Sequence, residues 1–341
     1  MVAKLLSDRI NRIHRIEGRK TNPVNPVNPV KIGVSSCLLG MMVRYDGGHK
    51  DDLFVHQVLS EYVEFVPVCP EVEIGLGTPR ETIRLEGDPS DPRLVAPKSG
   101  RDFTETMKAF ASRRTEELAA IGLHGYILKK DSPSCGMERV RVHQASSGSP
   151  ARVGVGLFAA ALMSRFPTLP VEEEGRLNDP VLRENFIERV FAFYRLQQFL
   201  SSEPKARDLV EFHSRTKMAL LAHSPKHYKQ LGQLVGSSGK ALKPTLVAYG
   251  RLFMEALQVK ATRRKHANVL QHLAGYLKRA VDADDRAETA ASIEEYRQGL
   301  VPLVVPLTLL KHHFRRHPVD WVLNQTYLNP YPAELMLRNH V

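Results

Sequence analysis

The sequence predicts an α/β N-terminal domain with a largely parallel, Rossmann-like sheet, followed by an all-α C-terminal domain. Three observations predict it. Short apolar strand-like runs alternate with helical segments up to Phe166, strand patterns vanish from Pro180 onward, and charge is unevenly divided between the two parts. At 341 residues the chain is long enough for about two domains. With 43% hydrophobic and 25% charged residues it reads as a soluble globular protein. Residues 1–200 carry 27 Lys/Arg against 25 Asp/Glu, whereas residues 201–341 carry 21 against 12, so nearly all of the +11 net charge belongs to the second part. The three cysteines all lie in the first part.

Taken in order, residues 1–20 read as a short basic helix or tail. Asn-Pro-Val then repeats three times over 22–30, and proline at every third position makes this an extended spacer. Lys31–Ser36 reads as a buried strand ending at Cys37, Leu53–Tyr62 as a helix, and Val63–Val68 as a strand ending at Cys69. Asp102–Ile121 is an amphipathic helix with Gly122 as its C-cap. Gly125–Lys129 is a third strand, followed by a loop that holds Cys135, and Leu157–Phe166 is a helix. Pro167–Asp179, with Glu172-Glu-Glu174, reads as a connector. Helices are expected near 180–200, 206–222, 225–235, 244–259, 262–281, 286–299 and 304–316. Val269, Leu270, Leu273 and Leu277 form a core stripe within them. The implied division is a tail and spacer over 1–30, an α/β domain over 31–170, a connector helix region over 171–200 and a basic helical domain over 201–341.

Each cysteine falls at or shortly beyond the C-terminal end of a predicted strand. Parallel strands present those ends at one edge, where ligand sites form, so the three are expected to converge. Three thiols exclude a closed disulfide set, and no paired CxxC spacing supports a four-ligand zinc site. A single nucleophilic cysteine, an iron–sulfur cluster with one iron lacking a protein ligand, and three unrelated buried cysteines all remain open. No signal-peptide pattern is seen, and the longest apolar run, Leu300–Leu310, is broken by Pro302 and Pro306. A cytoplasmic protein with no membrane span is expected. His223 and His227 are separated by Pro225, which argues against a metal pair. His312, His313 and His317 beside Arg315 and Arg316 read as a basic surface.

The segments SSCLLG, VRYDGG, CPE, TPRE and DSPSCG, in this order, resemble the thiouracil desulfidase (TudS) family. The segments FHSRTKMALLAHSP, RRKHANVLQHLAGYLKR, YRQGLVPLVVPLTLLKHHF and YLNPYPAELMLRN resemble the YbgA-type domain. Fusions of this kind are similar to enzymes that remove sulfur from 4-thiouridine in tRNA. The resemblance implies Cys37, Cys69 and Cys135 as ligands of a [4Fe-4S] cluster with one open iron. It implies Glu71 as a catalytic group and a catalytic serine in the third motif, Ser132 preferred over Ser134. Attack of water on a thiocarbonyl whose sulfur sits on the open iron would be hydrolytic and non-redox, so no nicotinamide or flavin is expected, and the sequence has no GxGxxG pattern.

Glu71 is well typed as a general base, its bland alternative being a pair with Arg80 or a helix cap. Arg44, Tyr45 and Asp46, ahead of Gly47-Gly48, are expected to shape the crevice mouth, and Arg80, Lys129 and Lys130 complete the substrate-side candidates. The expected partner is thiolated tRNA docked through its phosphates on the basic helical domain, or a thiolated pyrimidine. The alternatives are a desulfidase of free thiouracil or thionucleosides, a non-catalytic cluster-bearing nucleic-acid-binding protein, and a zinc-structural protein. No oligomeric state is predicted.

Overall fold

The computed structural model describes residues 29–144, 149–239 and 241–341. The expected basic tail and all but the last two residues of the Asn-Pro-Val spacer lie outside them.

Eight strands among the described residues form two four-stranded sheets: β1 (Lys31–Ser35), β2 (Glu64–Val68), β3 (Arg84–Glu86), β4 (Arg93–Val95), β5 (Gly125–Leu128), β6 (Val140–His143), β7 (Ala151–Gly154) and β8 (Val171–Glu173). The first sheet has the order β2-β1-β5-β8 and is parallel throughout. Its central strands, Lys-Ile-Gly-Val-Ser and Gly-Tyr-Ile-Leu, are almost wholly buried, as a parallel sheet covered on both faces requires. In register, Ser35 lies opposite Val68, so β1 and β2 end level. The second sheet, β4-β3-β6-β7, is mixed, with only β3 and β6 parallel.

Three short or medium helices belong to this part: α1 (Pro70–Glu73), α2 (Thr104–Ile121) and α3 (Leu157–Arg165). Gly122, at φ 73°, closes α2 in the left-handed conformation. The 22-residue α4 (Pro180–Ser201) starts where the Asp179 side chain accepts the N–H groups of Val181 and Leu182, with proline at the first helical position. A Cβ at Gly125 would lie 2.7 Å from Val190 Cγ2, so the missing side chain lets α4 lie directly on β5.

From α4 onward the described residues are helical: α5 (Ala206–His223), α6 (Pro225–Ser237), α7 (Leu242–Gln258), α8 (Arg263–Tyr276), α9 (Ala283–Gln298), α10 (Val304–Arg316) and α11 (Asp320–Leu323), plus short 3-10 turns. Side chains of Ser224, Thr262 and Asp282 cap α6, α8 and α9. The expected stripe Val269, Leu270, Leu273 and Leu277 is buried. Phe186, Ile187 and Val190 of α4 pack with Ile32, Val34 and Ile127 of the sheet, and Leu196 packs with Leu209, Leu220 and Phe253 of the bundle. One helix therefore belongs to the cores of both parts.

A charged network is buried beside this spine. Glu184 accepts a hydrogen bond from Tyr331 at 2.8 Å, and Arg338 Nε lies 3.5 Å from the same carboxylate. Glu188 meets His223 Nε2 at 3.2 Å, and His223 Nδ1 lies 2.7 Å from the Val259 carbonyl.

Four sequence expectations need correction. Leu53–Tyr62 is not a regular helix but a π turn (Phe54–Val58) followed by a 3-10 turn (Leu59–Glu61). Buried Val55 and Leu59 supply a helical spacing, yet a segment this short gains little from propagation. The segment read as a connector contributes β8, because its run of acids hides a strand whose Glu172 and Glu173 are buried. The second sheet was not foreseen, since strands of three or four residues, such as Arg84–Glu86 with Leu85 alone buried, show too little alternation. His313 is buried and not on the surface, because it follows Leu310 by three residues on the packed face of α10. His223 and His227 do diverge as expected, toward Glu188 and Ser224 respectively.

Candidate active site

The level C-terminal edge of the parallel sheet opens into a cavity of about 270 Å³. Cys37, Cys69 and Cys135 all line it. Each is delivered by a different local device. After β1 the chain turns through a 3-10 segment (Ser36–Leu39) closed by Gly40 at φ 75°, and Lys50 N–H donates to the Cys37 carbonyl. Cys69 is the residue before α1, whose first position is Pro70, and its N–H donates to the Glu73 carboxylate at 2.9 Å.

Cys135 sits on the loop after β5, pinned from two sides. Its N–H donates to Ser132 Oγ at 3.0 Å, while Leu157 and Ala159 N–H, at the start of α3, donate to the carbonyls of Pro133 and Ser134. A Cβ at Gly156 would lie 2.5 Å from the Ser134 carbonyl and 2.9 Å from Cys135 N, so only glycine lets α3 begin this close to the loop.

Glu71, in the first turn of α1, is held at both carboxylate oxygens. Oε2 accepts from Arg80 Nε at 3.1 Å and Nη2 at 2.5 Å; Oε1 accepts from Ser134 Oγ at 2.5 Å and, more weakly, from Ser132 Oγ at 3.5 Å. Ser132 and Ser134 hydroxyls are 3.1 Å apart. Arg80 also donates to the carbonyls of Val43 and Gly77 at 2.9 and 3.0 Å, which fixes it in the wall. The pair is well shielded, Arg80 at 7% and Glu71 at 14% side-chain exposure. The bland alternative, a Glu71–Arg80 pair, thus exists together with a contact to both serines of the third motif. Ser132 lines the cavity, whereas Ser134 is fully buried behind it against Glu71.

Of the remaining candidates, Arg44, Tyr45, Lys129 and Lys130 line the cavity and Asp46 does not. Arg44 Nε lies 3.4 Å from Asp46 at the exposed mouth, and its guanidinium sits over the Tyr45 ring at 5.4 Å. Lys129 Nζ is bound to Glu174 Oε1 at 2.7 Å and to the Lys130 carbonyl at 2.9 Å, and Lys130 N–H donates to Glu174 Oε2. Lys129 is therefore a fixed charge in the wall, not a free arm awaiting a phosphate.

Sequence reasoning missed Ser35 and Glu174. Ser35 Oγ accepts the Lys129 N–H at 3.0 Å, and Ser35 lines the cavity beside the cysteines. Ser35 lies inside the quoted SSCLLG segment, and Glu174 closes the acid run taken for a connector, so both signals were in view.

The thiols are strongly perturbed. Burial pushes Cys37 up to about 11, with Lys129 opposing, and pushes Cys69 up to about 12. Cys135 is also held well above the ordinary thiol range by burial. Thiols in this state are poor free nucleophiles, which weighs against the single-nucleophile reading. They ionise readily only against a metal centre, whose binding displaces their protons.

A family model described as 2-thiouracil desulfurase matches residues 32–174, and one described as a protein of unknown function, DUF1722, matches residues 217–332. Uncharacterized protein YbgA of Escherichia coli (strain K12) is 33% identical over 153 residues, which cover 44% of this chain and 90% of that protein. Uncharacterized protein YbbK of Bacillus subtilis (strain 168) is 31% identical over 151 residues, 43% of this chain and 97% of that protein. A solved structure described as the [4Fe-4S]-dependent thiouracil desulfidase TudS is 33% identical, covering 44% of this chain and 94% of its own, with a TM-score of 0.36.

Proposed function

The chain belongs to the 2-thiouracil desulfurase family through residues 32–174 and to the YbgA-like DUF1722 family through residues 217–332, and on that premise we propose that it is an iron–sulfur-dependent desulfidase of 4-thiouridine in tRNA. The observation that carries this reading is the meeting of Cys37, Cys69 and Cys135 in one cavity with a carboxylate held by Arg80 and Ser134. The donor set fits a [4Fe-4S] cluster: three soft sulfur ligands on three loops, with no fourth cysteine in the sequence to complete its coordination. When bound there, the cluster would supply one iron without a protein ligand, a Lewis acid suited to a thiocarbonyl sulfur.

The chain's own residues do the rest. The cavity of about 270 Å³ has to take both the cluster and the reacting base, which leaves room for no more than a single pyrimidine ring. Glu71 Oε1 accepts a proton from water entering the cavity, and Arg80 keeps that carboxylate oriented. Ser132 and Ser134, both within reach of Oε1, relay a proton between the cavity and Glu71. Lys129, tied by Glu174, places a fixed positive charge in the cavity wall, where it would favour charge developing on a bound thiocarbonyl. The balance is that water oxygen forms the new C=O bond, the C=S bond breaks, and sulfur leaves as hydrogen sulfide with both protons of the water. No electrons are exchanged.

The net charge of +9 over residues 201–341 supports RNA as the carrier of the base, while the size of the cavity favours free thiouracil as the second reading. Sulfide release by anaerobically reconstituted protein separates them. Thiolated tRNA is expected to be turned over with a kcat/KM at least about tenfold above that for free thiouracil, a gain of the size that distant phosphate contacts supply. Equal or better turnover of the free base would remove tRNA from the reading.

A further inference from the structure

The sequence contains one tryptophan, Trp321, and it lies half-buried at the edge of the helical core. Its indole N–H donates to Ser214 Oγ of α5 at 2.9 Å, and Gln325 bonds both the Ser214 and Trp321 carbonyls, so the ring cannot swing. Tyr276, at the end of α8, stacks on it with ring centroids 5.1 Å apart and planes inclined by 26°. Lys217 Nζ lies 5.5 Å from the indole centroid. Tyr276 nevertheless remains 47% exposed. The indole is anchored against the helical core, and the tyrosine ring it backs is half exposed, an arrangement suited to stacking.

The helix that carries Tyr276 is basic along its own length. The α8 sequence, Arg263–Tyr276, contains no Asp or Glu, His272 is exposed one turn before Tyr276, and exposed Lys278 and Arg279 follow it. Acids are also near: Asp320 precedes the tryptophan, and α9, whose Arg286 reaches the Lys278 carbonyl at 3.2 Å, begins with Asp282, Asp284 and Asp285.

We propose that Tyr276, stacked on Trp321, is a nucleobase-stacking platform by which the helical part holds an unpaired base of the substrate RNA. An aromatic face takes any base, and flanking cations take the phosphates on either side. The inference rests on the tRNA reading above and deepens it by naming where a second nucleotide is gripped. An acidic protein segment would use the same cations but would not need the open ring.

The test is binding of an unmodified tRNA transcript, at low and at physiological salt, to wild-type protein and to Tyr276→Ala and Tyr276→Phe. Tyr276→Ala is expected to weaken binding about five- to hundredfold at both salts, with the salt slope unchanged. Tyr276→Phe keeps wild-type affinity, and turnover of free thiouracil is the same in all three. Wild-type binding with no loss in Tyr276→Ala, or equal loss in both variants, would overturn the platform while leaving the tRNA reading intact. Failure of the wild type to bind tRNA at all would overturn both.

Discussion

Alanine at Cys37, Cys69 or Cys135 is expected to leave anaerobically prepared protein without its iron and acid-labile sulfide, and to lower desulfidation below about one hundredth of wild type. The expectation follows from the geometry. Each thiol comes from a separate loop, and all three line the same cavity wall, so none of the other two can take over a lost position. The fold is expected to survive, because Cys37 and Cys135 are small buried side chains and Cys69 is partly exposed. Glu71→Gln provides the contrasting arm. Glutamine preserves the shape against Arg80, which keeps its carbonyl partners at Val43 and Gly77, but it cannot hold a proton. Iron content should therefore stay at the wild-type level while kcat falls by roughly a hundred- to ten-thousandfold. Loss of iron in Glu71→Gln would make Glu71 a structural support of the site and not a base.

The second large effect concerns stability. Arg338→Met is expected to cost about 3–5 kcal/mol, because it leaves Glu184 buried without its cation. That corresponds to a fall on the order of 10 °C in the thermal midpoint. Glu184 and Arg338 are 5% and 8% exposed, so little water is available to take over. Burial raises Glu184, assisted by the facing Glu188, and Arg338 is what opposes it. Replacing Glu184 by Leu in the same protein should recover part of the loss, since no charge is then left unpaired and only the Tyr331 hydroxyl loses its acceptor. An Arg338→Met protein as stable as wild type would contradict the network.

The same network gives a pH signature. Glu188 is held below the usual carboxylate range, the cost of burial being outweighed by His223, so its contribution is present above the ordinary carboxylate pKa and fades in acid. Burial alone would lower His223, yet the Glu188 carboxylate raises it. Its contribution is complete below the ordinary histidine pKa and fades as pH rises through the raised value. Urea midpoints of the wild type should therefore decline on both sides of a weakly acidic optimum, and His223→Gln should flatten the alkaline limb.

Much of this was legible in the sequence, for reasons that differ by element. Ile32 and Val34, or Tyr126 and Ile127, sit in continuous apolar runs that only a doubly covered strand explains, and a strand-end cysteine then predicts convergence at one edge. The helices of the second part announce themselves through Pro, Gly and Ser breaks and apolar stripes, whereas the Asp282 cap, which starts α9 at Ala283, lies in a run of charged residues that masks the boundary. What stayed hidden depends on partners far away in the chain. Glu174 reads as solvated until β8 pairs with β5 and brings it to Lys129. His313 looks like part of a basic run until α10 turns it inward. Ser134 and Ser132 are two residues apart in a turn, and only the arrival of Glu71, more than sixty residues earlier in the sequence, gives them different places in the site.

Among the described residues no helix is long and apolar enough to cross a membrane. The central claim is hydrolytic removal of sulfur at the three-cysteine cavity, and turnover of 4-thiouridine tRNA in isotopically labelled water tests it most directly. Cluster-loaded protein without added reductant should release one sulfide for each labelled oxygen that appears at the pyrimidine carbonyl. An intact cluster that releases no sulfide, or releases it only with a reductant and without label in the product, would contradict the account.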